Sequence, residues 1–329
     1  MTVNGIEAPA DDGTQTVHEA ALTVGIHIPT LCHREDTHPV GGCGVCTVED
    51  AASGRLLPAC ATRAEPDMAI LTDSPAALQA RRDALELLLS NHPADCEAPC
   101  QMACPSGLPV PMFLEAIAEN KWDAAADLAR QHPLTCADAA PCEKACRRKP
   151  HGGAVAICAL HRWLADSAPA TGKVPARHRF RSRMTGLPEE TLLTFCAERG
   201  DRLQPPDTRE TAAREAARCL QCGCRKPDAC RLRDLCAETG ARQSAFSGGF
   251  GMITRERAGR FRFDSSRCIL CGLCVRTSRQ TGTGLAPAFH GRGFAARIAP
   301  PLGRTWSDIP FPVLTACATV CPTGAMTLA

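Results

Sequence analysis

Apolar positions along this chain fall in short bursts, and the spacing within each burst predicts its element. VHEAALTVGI, starting at Val17, and AALQARRDALELLLSNH, starting at Ala76, carry apolar residues at helical spacing. The same spacing runs through VPMFLEAIAENKWDAAADLARQ from Val110 and through TAAREAAR from Thr211, predicting further helices. Short strand-like runs broken by turn residues open the chain, and FRFD at Phe261–Asp264 predicts another strand. Residues 167–212 are rich in Pro, Arg and Thr, the pattern of a linker. No burst approaches the roughly eighteen apolar residues of a membrane span. The N-terminal stretch lacks the basic and apolar regions of a secretory signal.

Composition changes the picture. Aromatic residues make up 4% of the 329 residues, Tyr is absent, and Gly and Pro number 26 each. Such a chain has few large side chains for one continuous core. It does have 22 cysteines, in clusters. Without a secretory signal the chain is expected to be cytoplasmic, where clustered thiols stay reduced and serve as metal ligands. Bound metal would then organise several small modules, because ligation energy becomes folding energy where no site pre-exists. A net charge of +2 excludes a broad nucleic-acid footprint, and the basic run RHRFRSR at Arg177–Arg183 is read as linker or docking surface.

Cys32, Cys43, Cys46 and Cys60 have the spacing C-x10-C-x2-C-x13-C. Thiolates at i and i+3 in the Gly-rich loop VGGCGVC can reach one iron together, and four thiolates satisfy a 2Fe–2S centre. Gly41, Gly42 and Gly44 suit a backbone wrapped closely around inorganic sulfur. IPTLCHRE, PVGGCGVCTVE and LLPACAT resemble the N-terminal 2Fe–2S domain of the large iron–sulfur subunit of respiratory complex I and of its relatives in NAD-linked hydrogenases and formate dehydrogenases.

RRDALELLLSNHPADC resembles the same subunit just before its His-ligated 4Fe–4S cluster. CEAPCQMACP, TCADAAPCEKACRR and GAVAI instead resemble the two-cluster helical domain of the glutamate synthase small subunit and dihydropyrimidine dehydrogenase, whose ligands interleave between two cysteine groups. That resemblance assigns Cys96, Cys100 and Cys146 to one 4Fe–4S cluster, with His92 where a fourth ligand is needed. It assigns Cys104, Cys136 and Cys142 to another. There the family's Glu or Gln position is His161, while Cys158, one helical turn earlier, is the better iron ligand; the sequence leaves both open. RCLQCGCRKPDACRLRDLC resembles a short segment of related bacterial oxidoreductases, implying a 4Fe–4S cluster on Cys219, Cys222, Cys224 and Cys230, with tetrahedral zinc as the alternative.

At the C-terminus the interleaving rule of two-cluster ferredoxins applies: the fourth Cys of each run binds the other cluster. Cys268, Cys271 and Cys274 with Cys321 keep one complete set, whereas Ser278, Phe311 and Leu314 occupy ligand positions of the other beside Cys317. One 4Fe–4S cluster is therefore expected, with an apolar plug in place of the second. RCILCGLCVR, HGRGFAARIAPP and CPTGA resemble the complex I subunit and the small diaphorase subunit of NAD-linked hydrogenases, apart from the lost cluster. Cys196, Cys236 and Cys317 receive no role.

No G-x-G-x-x-G follows a strand, GGFG at 248–251 and TGTG at 281–284 read as turns, and no nucleophile–base pairing is readable, so no substrate or nucleotide site is expected. The expected fold is α+β and modular: a β-grasp 2Fe–2S ferredoxin domain (1–75), a helical domain binding two 4Fe–4S clusters (76–166), a linker (167–212), a cysteine-rich segment (213–245) and a degenerate bacterial-ferredoxin-like domain (246–329). The expected load is one 2Fe–2S and four 4Fe–4S clusters. By resemblance the chain carries electrons between a flavin- and NAD(P)-binding diaphorase-type subunit and a hydrogenase or formate dehydrogenase-type subunit. Alternatives are a redox-sensing regulatory subunit and a cluster carrier.

Overall fold

The computed structural model describes residues 1–10, 14–165, 180–183, 189–203, 206–247, 253–282 and 284–328. GGFG and parts of the basic run, the linker and TGTG lie outside the described residues. The chain forms two compact units, Met1–His92 with Asp228–Ala329, and Pro93–Pro227.

In the first unit the N-terminal part is a five-stranded sheet ordered Ile6–Glu7, Thr2–Val3, Ala69–Leu71, Thr47–Asp50, Arg55–Pro58. Thr2–Val3 runs parallel to Ala69–Leu71 and the other pairings are antiparallel. Helix Val17–Thr23 starts at a capping box, in which the Glu19 amide donates to Thr16 Oγ1 (3.3 Å) and the Thr16 amide to Glu19 Oε2 (2.7 Å). Its buried Val17 and Ala21 meet Val3, Val48 and Ile70 in a core that includes Cys46 and Cys60. Helix Pro75–Ser90, capped by Ser74, buries Ala77, Arg81, Leu85 and Leu89 at intervals of four, which is why its periodicity was readable. The Arg81 guanidinium donates to the Thr47 carbonyl (2.7 Å), tying the helix to the strand that follows the cysteine loop.

The C-terminal part of this unit orders its strands Met326–Leu328, Phe261–Asp264, Arg255–Ala258, all antiparallel. Phe261 and Phe263 pack against Trp306 with ring centroids 5.1 and 4.7 Å away. Helices Leu273–Gln280 and Phe311–Val320 cover this core. Buried Arg267 pairs with Asp264 at the strand's end, and Arg255 bonds the same carboxylate at 3.0 Å.

The described residues of the second unit form helices and no strands. Its core is Phe113, Leu114, Ile117, Ile157 and Leu160 with cysteines among them. The single helix expected from Val110 is two, Val110–Ala118 and Trp122–Gln131, because Asn120 takes a left-handed φ of 57° at the break. Helix Arg209–Ala217 presents Glu215, whose fully buried carboxylate takes Arg218 Nη1 at 2.7 Å and the amides of Ala156 (2.9 Å) and Leu203 (3.0 Å).

Candidate metal centres

None of the cysteines forms a disulfide, and most are buried. In the N-terminal part of the first unit, Cys32, Cys43, Cys46 and Cys60 come together: Cys32 hydrogen-bonds through sulfur with Cys43 and Cys60, and Cys46 with Cys60. The loop can close because Gly41 (φ 61°) and Gly44 (φ 70°) are left-handed and leave no room for a side chain. A Cβ on Gly44 would stand 3.0 Å from that of Ala84. Sulfur hydrogen bonds from Cys43 and Cys60 hold the Cys32 thiol far below its usual range, and the same contacts push Cys43 and Cys60 up. Protons alone thus allow only a partial set of thiolates here. Four together require a cationic core such as iron, and the donor set fits one.

In the C-terminal part of the unit, Cys268, Cys271, Cys274 and Cys321 form the second group. Burial pushes Cys268 and Cys271 up to about 12 and Cys274 well up, with the neighbouring thiols adding to each shift. Cys317 stands apart: fully buried, it points its Sγ at the Cys274 carbonyl (3.6 Å). Ser278 Oγ donates to the Val275 carbonyl within its own helix (3.1 Å), and Leu314 is buried in the core. Phe311, in contrast, is 47% exposed at the start of its helix, so the expected plug consists of Leu314 and Cys317 with Ser278 and does not include Phe311.

These two groups are neighbours. Arg276, on helix Leu273–Gln280, donates to the Cys32 carbonyl and to the Cys271 carbonyl (3.3 Å). Charge on Cys32 contributes to raising Cys271, and Gln280 bonds the Asp36 carbonyl beside the first loop.

In the second unit Cys104, Cys136, Cys142 and Cys158 line a common void. Cys158 Sγ lies 3.6 Å from Cys142 Sγ and 4.0 Å from Cys136 Sγ. His161 reaches the same void, but its Nε2 is engaged with the His132 carbonyl (2.8 Å). The geometry thus favours Cys158 as the fourth donor, leaving His161 behind it, buried, with Nδ1 unpartnered.

The remaining expected ligands are grouped differently from the sequence reading. Cys100 and Cys146 line a cavity together with Cys219 and Cys222. Cys96 is not in that lining; its Sγ meets the Ser182 hydroxyl (3.2 Å) and amide (3.3 Å), and its carbonyl accepts from the Cys224 amide (3.1 Å). Cys230 lies in the first unit at the N-terminus of helix Arg231–Thr239. Within the expected set Cys219, Cys222, Cys224 and Cys230, residues 219–222 turn toward the helical core and Cys224 is not in that lining. His92 also belongs to the first unit, where burial pushes it down to about 4, with Arg267 and Asp264 among its neighbours. Cys196 and Cys236 are buried; the Cys196 carbonyl accepts from Arg148 (3.3 Å). Sequence reasoning missed Arg276, Glu215 and Arg147, which bonds Asp95 and Cys222. Nothing in their spacing distinguishes them from solvated charges.

Among the described residues no three His, Cys, Asp or Glu side chains converge as ligands of a single ion would. No helix is long and apolar enough to cross a membrane, among the same residues.

Comparison with known proteins agrees with this chemistry. Residues 1–75 match the 2Fe-2S iron-sulfur cluster binding domain, and residues 89–173 match dihydropyrimidine dehydrogenase domain II, 4Fe-4S cluster. A 101-residue stretch is 40% identical to the NADP-reducing hydrogenase subunit HndD of Solidesulfovibrio fructosivorans, covering 29% of this chain and 17% of that one. Over 94 residues the chain is 37% identical to the NADH-ubiquinone oxidoreductase 75 kDa subunit of Reclinomonas americana, covering 29% of this chain and 14% of the relative. The chain thus spans under a fifth of the length of these relatives. In fold it is similar to a chain of an NAD+-reducing [NiFe]-hydrogenase crystallised in the H2-reduced state, with a TM-score of 0.55 and 21% identity, covering 99% of this chain and 86% of that one. The chain is a mixed α+β iron–sulfur protein with 2Fe–2S and 4Fe–4S domains.

Proposed function

We propose that this chain is an electron-transfer subunit that carries single electrons between a flavin- and NAD(P)-binding diaphorase-type subunit and a catalytic subunit of hydrogenase or formate dehydrogenase type. The observation that carries the reading is the adjacency of two cysteine groups, with Arg276 bonded to a backbone carbonyl of each. The relatives' names, hydrogenase and NADH-ubiquinone oxidoreductase subunits, supply the class of complex. On this reading Cys32, Cys43, Cys46 and Cys60 hold one 2Fe–2S cluster. Cys268, Cys271, Cys274 and Cys321 hold a 4Fe–4S cluster, and Cys104, Cys136, Cys142 and Cys158 a second. The other cysteines of the helical unit contribute to two more, for the load of four. The N-terminal module is a β-grasp domain, and the complex works in the cytoplasm.

The clusters, when bound, supply reversible one-electron storage. The protein's own residues set where each centre stands and what surrounds it. Burial excludes water from the thiols, Arg276 fixes the spacing of the two cysteine loops in the first unit, and Arg147 places a cation beside Cys222. Hydrogen bonds and charge around ligating sulfur tune the potential.

Copurification tests the proposal. A complex containing flavin, in which NAD(P)H bleaches the chain's iron–sulfur absorbance, is the expected result. Clusters that pass to apoproteins and are never reduced by NAD(P)H in the complex would replace this reading with the carrier.

A further inference from the structure

We infer that Cys100, Cys146, Cys219 and Cys222 form one 4Fe–4S site whose second pair of ligands arrives from beyond the matched 4Fe–4S domain. That domain match ends at residue 173, before Cys219 and Cys222. The four thiols nonetheless line one common cavity, and Cys100 feels the charges of Cys219, Cys222 and Cys146. Apart from Arg147 and Arg148, which as cations donate to no metal, the other lining groups, among them Pro99, Pro111, Leu114 and Ile157, are apolar, so sulfur is its natural donor chemistry.

The segment carrying the second pair is built onto the helical core. Gln221 takes a left-handed φ of 52°, which no Gly relieves, and donates its side-chain amide to the Pro111 carbonyl (2.9 Å). Its backbone amide points at Cys219 Sγ (3.4 Å), the donor that a ligating thiolate uses. Gly223 lies flat against the chain before Cys100: a Cβ there would stand 3.2 Å from the Ala98 amide nitrogen and 3.4 Å from Pro111 Cγ. Arg225 closes the segment onto Glu115 of helix Val110–Ala118 (2.6 Å). Upstream, Glu215 anchors the preceding helix through the Ala156 amide. A strained residue, a close approach and a buried carboxylate all serve to bring Cys219 and Cys222 to Cys100 and Cys146.

Ligation of this kind replaces four thiol protons by four iron–sulfur bonds around a preassembled cluster. It also divides CxxCxC in a way that spacing conceals. Cys219 and Cys222 belong to this site, whereas Cys224 turns its amide to the Cys96 carbonyl and lies outside the void. Zinc is disfavoured here because the donors ring a void instead of converging on one point.

The inference rests on the iron–sulfur reading but not on the partner subunits, so its test measures cluster content. The double variant Cys219→Ser with Cys222→Ser in the full chain is expected to lose about four irons and one reduced-cluster EPR signal. Cys100→Ser should lose the same signal, and the triple variant nothing more. Gly223→Val, which keeps every thiol, should weaken that signal alone, and the 2Fe–2S signal reports that each variant is folded. The inference is overturned if the Cys219 and Cys222 variants remove a centre that survives Cys100→Ser and Cys146→Ser. It is equally overturned if Cys224→Ser abolishes the same signal as Cys100→Ser, or if zinc replaces iron at this stoichiometry.

Discussion

The N-terminal 2Fe–2S domain and the helical unit hold the same donor atom in opposite ways. In the first, four cysteines sit on a Gly-rich loop and its flanks, and only Cys46 and Cys60 join a core that Val3, Val48 and Ile70 of the sheet build with helix Val17–Thr23. In the second, cysteines are part of the core itself, interleaved with Phe113, Leu114, Ile157 and Leu160 and arriving from several segments. One domain has a fold that metal completes. The other has a centre that metal largely constitutes, since its cysteines reach the core from separate segments.

Removing iron should separate the two most strongly. With a chelator under reducing conditions, the apo chain is expected to lose amide protection in helices Val110–Ala118, Trp122–Gln131 and Ile157–Ala165, while the sheet around Val3, Val48 and Ile70 keeps its slowest-exchanging amides. Equal loss in both would erase the distinction. Next in size is Glu215→Gln. Its pairing with Arg218 is buried, the two side chains 0% and 2% exposed, and leaving that arginine without its counter-charge should cost about 3–5 kcal/mol. Denaturant melts should show the loss in the helical unit, with the 2Fe–2S spectrum unchanged.

Two smaller changes probe the N-terminal domain. Gly44→Ala forces a side chain into a left-handed turn facing Ala84, a cost of about 1–2 kcal/mol, and should broaden or shift the 2Fe–2S EPR signal without altering the other clusters. Thr16→Ala removes a capping box and should cost about 1 kcal/mol in a thermal melt, with cluster content intact. If Thr16→Ala drained iron from the chain, the N-terminal fold would depend on its metal as the helical unit does.

Legibility in sequence follows the same division. Cys32, Cys43, Cys46 and Cys60 were readable because a short Gly-rich loop lets spacing fix geometry. Cys268, Cys271, Cys274 and Cys321 were readable because an interleaving rule relates the two runs. The helices at Val17, Ala76 and Thr211 followed from apolar period. Spacing was silent where a site is assembled by tertiary packing. CxxCxC around Cys219 looks like one knuckle, yet the left-handed Gln221 and flat Gly223 direct Cys219 and Cys222 to one place and Cys224 to another. The choice between Cys158 and His161 turned on a hydrogen bond from His161 to the His132 carbonyl, a long-range partner that no local pattern announces. Asn120 ended a helix that apolar period alone would have continued.

The central claim is conduction through adjacent centres, and magnetic coupling tests it most directly. When the chain is fully reduced, the EPR signals of the 2Fe–2S centre and of the centre on Cys268, Cys271, Cys274 and Cys321 should split or relax each other, and Cys271→Ser should remove that interaction while leaving an uncoupled 2Fe–2S signal. Two reduced signals that are independent of one another in the intact chain, and unaltered by Cys271→Ser, would contradict the account.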